Sequence, residues 1–88
     1  MYLHLGQDTV VNMSDIIGIF DLDNTSVSKI TKQYLSQAEK ENTVVTVSAE
    51  LPKSFIVCEK GGTKTIYISQ ISSGTLMKRA KNIGMSLK

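Results

Sequence analysis

The sequence predicts a small, mainly antiparallel α+β domain, and three observations predict it. Short stretches of β-branched and aromatic residues recur along the 88 residues. Turn signals of hairpin length, Gly61-Gly62 above all, separate them. Only two segments carry the three-and-four spacing of an amphipathic helix. A chain of this length has room for one core, so residues 1–88 are expected to form a single domain. The expected order is β-β-β-α-β-β-β-α.

Tyr2 to Leu5 alternates and meets Gly6, a short strand and turn, and Thr9-Val10-Val11 is a second short strand. Met13-Ser14-Asp15 breaks the pattern. Ile16-Ile17-Gly18-Ile19-Phe20 has the β-branched and aromatic content of a strand buried on both faces. Thr25 or Ser26 can cap a helix whose stripe is Val27, Ile30, Tyr34, Leu35 and Ala38, with Lys29, Lys32, Ser36 and Lys40 pointing elsewhere. Asn42 tolerates the left-handed conformation with which helices stop. Thr43 to Val47 alternates as a strand, Pro52 fixes the exit of the next loop, and Ser54 to Cys58 pairs across Gly61-Gly62 with Thr65 to Ser69. Ser72 or Ser73 then caps a second helix with a stripe of Leu76, Ala80, Ile83 and Leu87, weakened late by Gly84.

Composition excludes several classes. Hydrophobic residues make up 41% of the chain and there is one proline, which is the balance of a folded domain. Such a short chain leaves much surface per unit of core, which self-association relieves. No apolar run approaches the roughly 20 residues that cross a bilayer. Met1 to Leu5 has neither the basic start nor the cleavage pattern of a signal peptide. One cysteine, Cys58, forms no internal disulfide or metal cluster, and fits a reducing cytoplasm. The net charge of +2 is unevenly spread: Lys78, Arg79, Lys81 and Lys88 put +4 into the last eleven residues and leave −2 over residues 1–77. That basic end either meets phosphates or complements a helix dipole.

One motif points to catalysis. Phe20-Asp21-Leu22-Asp23-Asn24-Thr25 after an apolar strand resembles the first motif of haloacid-dehalogenase-type phosphatases, with Asp21 as nucleophile, Asp23 as acid/base and Thr25 in the matching place. That chemistry also needs a later lysine for the phosphoryl group and a second acidic site for Mg²⁺. No aspartate follows Asp23. The family's parallel sheet needs several βαβ crossovers of about 30 residues each, and only one helix here lies between strands. A strand end feeding a capped helix accounts for the segment.

Read at full length, the chain resembles a different family. Met1 to Gly6, Asp15 to Asp21, Leu51-Pro52-Lys53-Ser54-Phe55, Tyr67 to Ser73, Thr75-Leu76 and Lys78-Arg79 are together similar to the RemA/RemB-type extracellular-matrix regulatory proteins, nearest the RemB-type branch. The resemblance spans nearly the whole chain in unbroken order; its specificity lies in the set and in no single piece. It implies a bacterial cytoplasmic, non-enzymatic regulator of biofilm-matrix genes. RemA-type members form ring-shaped homo-oligomers that bind DNA along a basic rim, so residues 1–88 become a regulatory and oligomerisation domain. The chain departs from the RemA-type pattern where those members carry arginines. Asp15 stands before the buried strand and Glu50-Leu51 in the loop before the central hairpin, leaving Lys53 as the basic side chain there.

The expected nucleic-acid contacts are Lys53, Lys78, Arg79 and Lys81. Arg79, the only arginine, is the one side chain able to make a bidentate contact to phosphate or guanine. Each of these cations also fits a solvated surface. His4, without a second histidine, is expected to be packed or at an interface and not a metal ligand. Cys58 is expected in the core, and Tyr2, Tyr34 and Tyr67 in core or interface positions. No catalytic residue, metal site or cofactor is expected. The partners are DNA and further copies of the chain, with no membrane. The competing reading is a protein-interaction module that modulates a regulator without touching DNA.

Overall fold

The computed structural model describes residues 1–22 and 29–82. It contains strands β1 (Tyr2–Gly6), β2 (Thr9–Asn12), β3 (Ile16–Asp21), β4 (Val44–Thr46), β5 (Ser54–Lys60) and β6 (Thr63–Ser69). Helix α1 (Lys29–Lys40) precedes β4, α2 (Ser73–Asn82) follows β6, and a 3₁₀ turn spans Met13–Asp15. The expected cap at Thr25 or Ser26, Val27 of the first stripe, and Ile83, Gly84 and Leu87 of the second lie outside the described residues.

The architecture is organised around β5. Its residues Ser54 to Cys58 are all buried, and alternate side chains enter different cores. Phe55 and Val57 pack with Ala38 of α1 and Ile66 of β6 on one face. Ile56 and Cys58 join Leu3, Leu5, Val11, Met13, Ile19, Leu76 and Ala80 on the other, beneath the β1–β2 hairpin and α2. The result is three layers: α1, a four-stranded sheet in the order β3-β5-β6-β4, and a cover made of the hairpin and α2.

Most pairings are antiparallel, but β4 lies parallel to β6, with Val44 opposite Ile66. This makes the sheet mixed. The β5–β6 turn is closed by two residues with positive φ, Gly61 at +58° and Gly62 at +84°, as a two-residue hairpin requires. Both strands consequently run further than their apolar patterns, to Lys60 and from Thr63. Helix α1 stops as its sequence indicates: Asn42 is left-handed at φ +57°, and the Thr43 amide and hydroxyl both donate to the Ala38 carbonyl at 3.0 Å.

Two expectations are corrected. Ile16 to Phe20 is not buried on both faces: Ile17 is 57% and Phe20 46% exposed, and only Ile19 is fully inside. The reason is that β3 is an edge strand whose one sheet neighbour among the described residues is β5. A register shift between Ile16 and Gly18 turns Ile17 outward, and the Phe20 ring lies flat on Phe55 with centroids 4.9 Å apart. For His4 only the packed half of the expectation of a packed or interface histidine is corrected. Strand alternation sends Leu3 and Leu5 inward and His4 to the surface, where its Nε2 lies 2.6 Å from the Gln7 carbonyl oxygen.

The tight end of the β1–β2 hairpin rests on Gly6. It holds φ +124°, and a Cβ placed there would lie 2.7 Å from the Gln70 side-chain amide. Gly6→Ala is therefore expected to destabilise the fold by about 1–3 kcal/mol, chiefly through backbone strain, with the Gln70 amide displaced. Urea unfolding followed by circular dichroism checks this; an unchanged midpoint would show that the hairpin end is free to adjust.

Candidate functional site

Of the expected basic contacts, Lys53 sits at one end of the sheet, and two serines organise that end. Ser54 and Ser69 face each other across β5 and β6 and are completely buried. The Ser69 hydroxyl donates to the Leu5 carbonyl of β1 at 2.6 Å and accepts from the Ile71 amide at 3.0 Å. The Ser54 hydroxyl donates to the Ile71 carbonyl at 2.7 Å. Both backbone groups of Ile71, on the link into α2, are thus held by the serine pair. Sequence reading misses this pair, because serine beside loops reads as surface and the partner of Ser69 is 64 residues away.

Lys53 is fixed by the same end. Its amide donates to the Ser69 carbonyl at 2.9 Å and its carbonyl accepts from the Leu22 amide at 2.8 Å, while its side chain is exposed. A residue that reads as loop is in effect the lead-in of the central strand, with a main chain held on both sides. Glu50 and Leu51, just before it, are exposed.

Helix α2 starts as its sequence predicts, with Ser72 as the cap: its hydroxyl oxygen accepts from the Thr75 amide at 3.2 Å. Leu76 and Ala80 face the core, and Lys78, Arg79 and Lys81 are all exposed. They do not share one face. At about 100° per residue, Lys78 and Lys81 lie some 60° apart on the outward side, whereas Arg79 is roughly 160° from Lys81. Arg79 instead turns along the flank toward β1, with Nη1 3.4 Å from the His4 carbonyl. The helix therefore offers two outward lysines and a separate arginine.

The acids Asp15 and Glu50 are placed differently from each other. Glu50 is fully in solvent, but Asp15, at the end of the 3₁₀ turn, is partly buried. Burial pushes the Cys58 thiol up to about 11, and the Asp15 carboxylate adds to the rise. The Tyr67 phenol is also raised, by burial first and then by the charges of Cys58 and Asp15. Cys58 is thus an inert core thiol, as expected.

Asp21 ends β3, paired in register with Ser54, while Asp23 and Thr25 lie outside the described residues. With one parallel pair in a mixed sheet, the doubly wound parallel frame that phosphatase chemistry uses is not the frame here. Among the described residues no group of three or more histidine, cysteine or acidic side chains is arranged to hold a metal ion. No described helix is long and apolar enough to cross a membrane.

Comparison with known proteins agrees with this frame. The RemA-like family, described as extracellular matrix regulatory protein A-like, matches residues 2–80, from the first strand to the last turn of α2. Extracellular matrix regulatory protein B of Bacillus subtilis (strain 168) is 42% identical over 81 residues, covering 92% of this chain and 91% of that protein.

The placement of Cys58 has a measurable outcome. Its raised pKa means the folded state keeps a proton that the unfolded chain loses from about pH 9, so its contribution to stability is present below pH 9 and fades as the pH climbs toward 11. Native Cys58 should alkylate with iodoacetamide at pH 8 about a hundredfold more slowly than in urea, and Asp15→Asn should recover part of that rate. Equal rates in the native and unfolded chain would contradict the placement.

Proposed function

The chain belongs to the RemA-like family of extracellular matrix regulatory proteins, and on that premise we propose that it is a non-enzymatic regulator of matrix and biofilm genes. It acts in the bacterial cytoplasm as a homo-oligomer, ring-like in form, that associates with DNA. The observation that supports this reading is that the expected cations are exposed and stand on ordered main chain. The Lys53 main chain is bonded on both sides, and the exposed Lys78, Arg79 and Lys81 stand on a helix tied to the same serine pair. Phosphate contacts supply most sequence-independent affinity, and they need cations held in register.

Each subunit offers few such cations. Assembly supplies the rest, since every copy repeats the same charges along one duplex and weak contacts multiply through effective concentration. The sheet has edges to assemble with. Among the described residues β3 and β4 each have one neighbour, and Ile17, Phe20 and Val45 are exposed there. An oligomer larger than a dimer follows from this reading.

A second reading, a protein-interaction module that modulates a regulator without touching DNA, is favoured by Asp15 and Glu50, which put negative charge where RemA-type members have arginine. Two measurements separate the readings. Sedimentation at working concentration should show an assembly larger than a dimer. Binding to duplex DNA should weaken with salt by a log–log slope of about −0.9 per phosphate contact. Lys53→Ala with Arg79→Ala should lower affinity for all sequences and flatten that slope without dissolving the oligomer, and Asp15→Arg should raise affinity. An oligomer with no DNA affinity at low salt would establish the interaction module in place of the regulator on DNA, and binding that survives loss of both cations would refute the named contacts.

A further inference from the structure

We propose that the cleft between β2 and the β5–β6 hairpin binds a small zwitterion, an amine-bearing acid of the amino-acid class, with Asp15 receiving the ammonium and Lys60 the acidic group. The cleft lies at the end of the sheet opposite Lys53, beside the Gly61-Gly62 turn, and encloses about 430 Å³, within the range of small-molecule sites. This inference does not rest on DNA binding.

Among the described residues the Asp15 carboxylate has neither a hydrogen-bond nor an ion-pair partner, although it is partly buried. A partly buried carboxylate without a partner of its own can take an incoming cation. Tyr2 and Tyr67 line the same cleft, and aromatic faces beside a carboxylate add to ammonium binding. Lys60 is the other charged side chain of the lining, and it does not form an ion pair with Asp15. A simple amine would meet its repulsion, and a simple acid would meet that of Asp15. A molecule carrying both charges satisfies the two ends at once.

The neutral lining suits this assignment. Asn12 Oδ1 is already taken by the Ser14 amide at 3.1 Å and hydroxyl at 2.9 Å, so the amide group of Asn12 has its donor side to offer. Thr65 adds a hydroxyl. Cys58 and Tyr67, which also line the cleft, are both raised in pKa by burial and stay neutral near pH 7.

The test is titration of the full chain, followed by amide nitrogen–proton spectra, with glycine, β-alanine and γ-aminobutyrate as zwitterions and butylamine and butyrate as single-charge controls. At least one zwitterion should shift the Asp15, Lys60 and Thr65 resonances saturably in the millimolar range, about tenfold more tightly than either control. Asp15→Asn should weaken it about tenfold, and the exposed Lys60→Met about threefold. Both variants should keep the rest of the spectrum, which separates loss of binding from loss of fold. Absence of saturation with every zwitterion, or butylamine binding as tightly as the best of them, would overturn the proposal.

Discussion

The structure depends on a pair of buried hydroxyls at one end of its central strand pair. Ser54 and Ser69 sit opposite each other with no solvent exposure, and each has a backbone partner outside the sheet. Through them the sheet holds β1 at Leu5 and both polar groups of Ile71. Each such bond contributes only about 0.5–1.5 kcal/mol net, but a buried group deprived of its partner costs about 1–3 kcal/mol. The pair therefore acts less by adding stability than by admitting one arrangement of hairpin, sheet and α2. Apolar burial drives the layers together, and the hydroxyls select how they sit.

That selection bears on function, because the cations come from separate stretches of chain. Lys53 is held by Leu22 of the β3 end and by Ser69 of β6. Arg79 reaches His4, the residue before the Leu5 carbonyl that Ser69 engages. One network of main-chain and hydroxyl bonds thus links the Lys53 main chain to the strand that Arg79 touches. The two ends of the sheet differ in character: the serine end carries Lys53 on a main chain held on both sides, while the Gly61-Gly62 end carries a cleft lined by Asp15 and Lys60.

Much of the fold was legible in the sequence, and what was not has definite causes. Gly61-Gly62, the Asn42 helix stop, the Ser72 cap and the Leu76–Ala80 stripe are local signals, and each appears where its chemistry requires. The burial of Ile16 to Phe20 was misjudged because composition does not reveal whether a strand is central or an edge; Ser54 to Cys58, with similar composition, has the central place. The parallel pairing of β4 with β6 and the bond from Ser69 to Leu5 depend on contacts distant in sequence, and periodicity carries no record of them. Of the candidate site, the cations were legible as residues but not as geometry. Helical spacing separates Arg79 from Lys78 and Lys81, and the fixed main chain of Lys53 comes from neighbours on either side. The Asp15 cleft left no motif, since its lining comes from β2, the 3₁₀ turn, β5 and β6.

The central claim is that the serine pair locks the link into α2 onto the sheet, and native-state hydrogen exchange tests it most directly. In the wild type the Ile71 amide, bonded to Ser69 Oγ, should exchange nearly as slowly as the Ile56 amide in the middle of β5. In Ser69→Ala, Ile71 should exchange at least about tenfold faster relative to Ile56, because its acceptor is gone while the strand remains paired. An Ile71 amide that exchanges rapidly in the wild type, or one that the substitution leaves unchanged, would contradict the account.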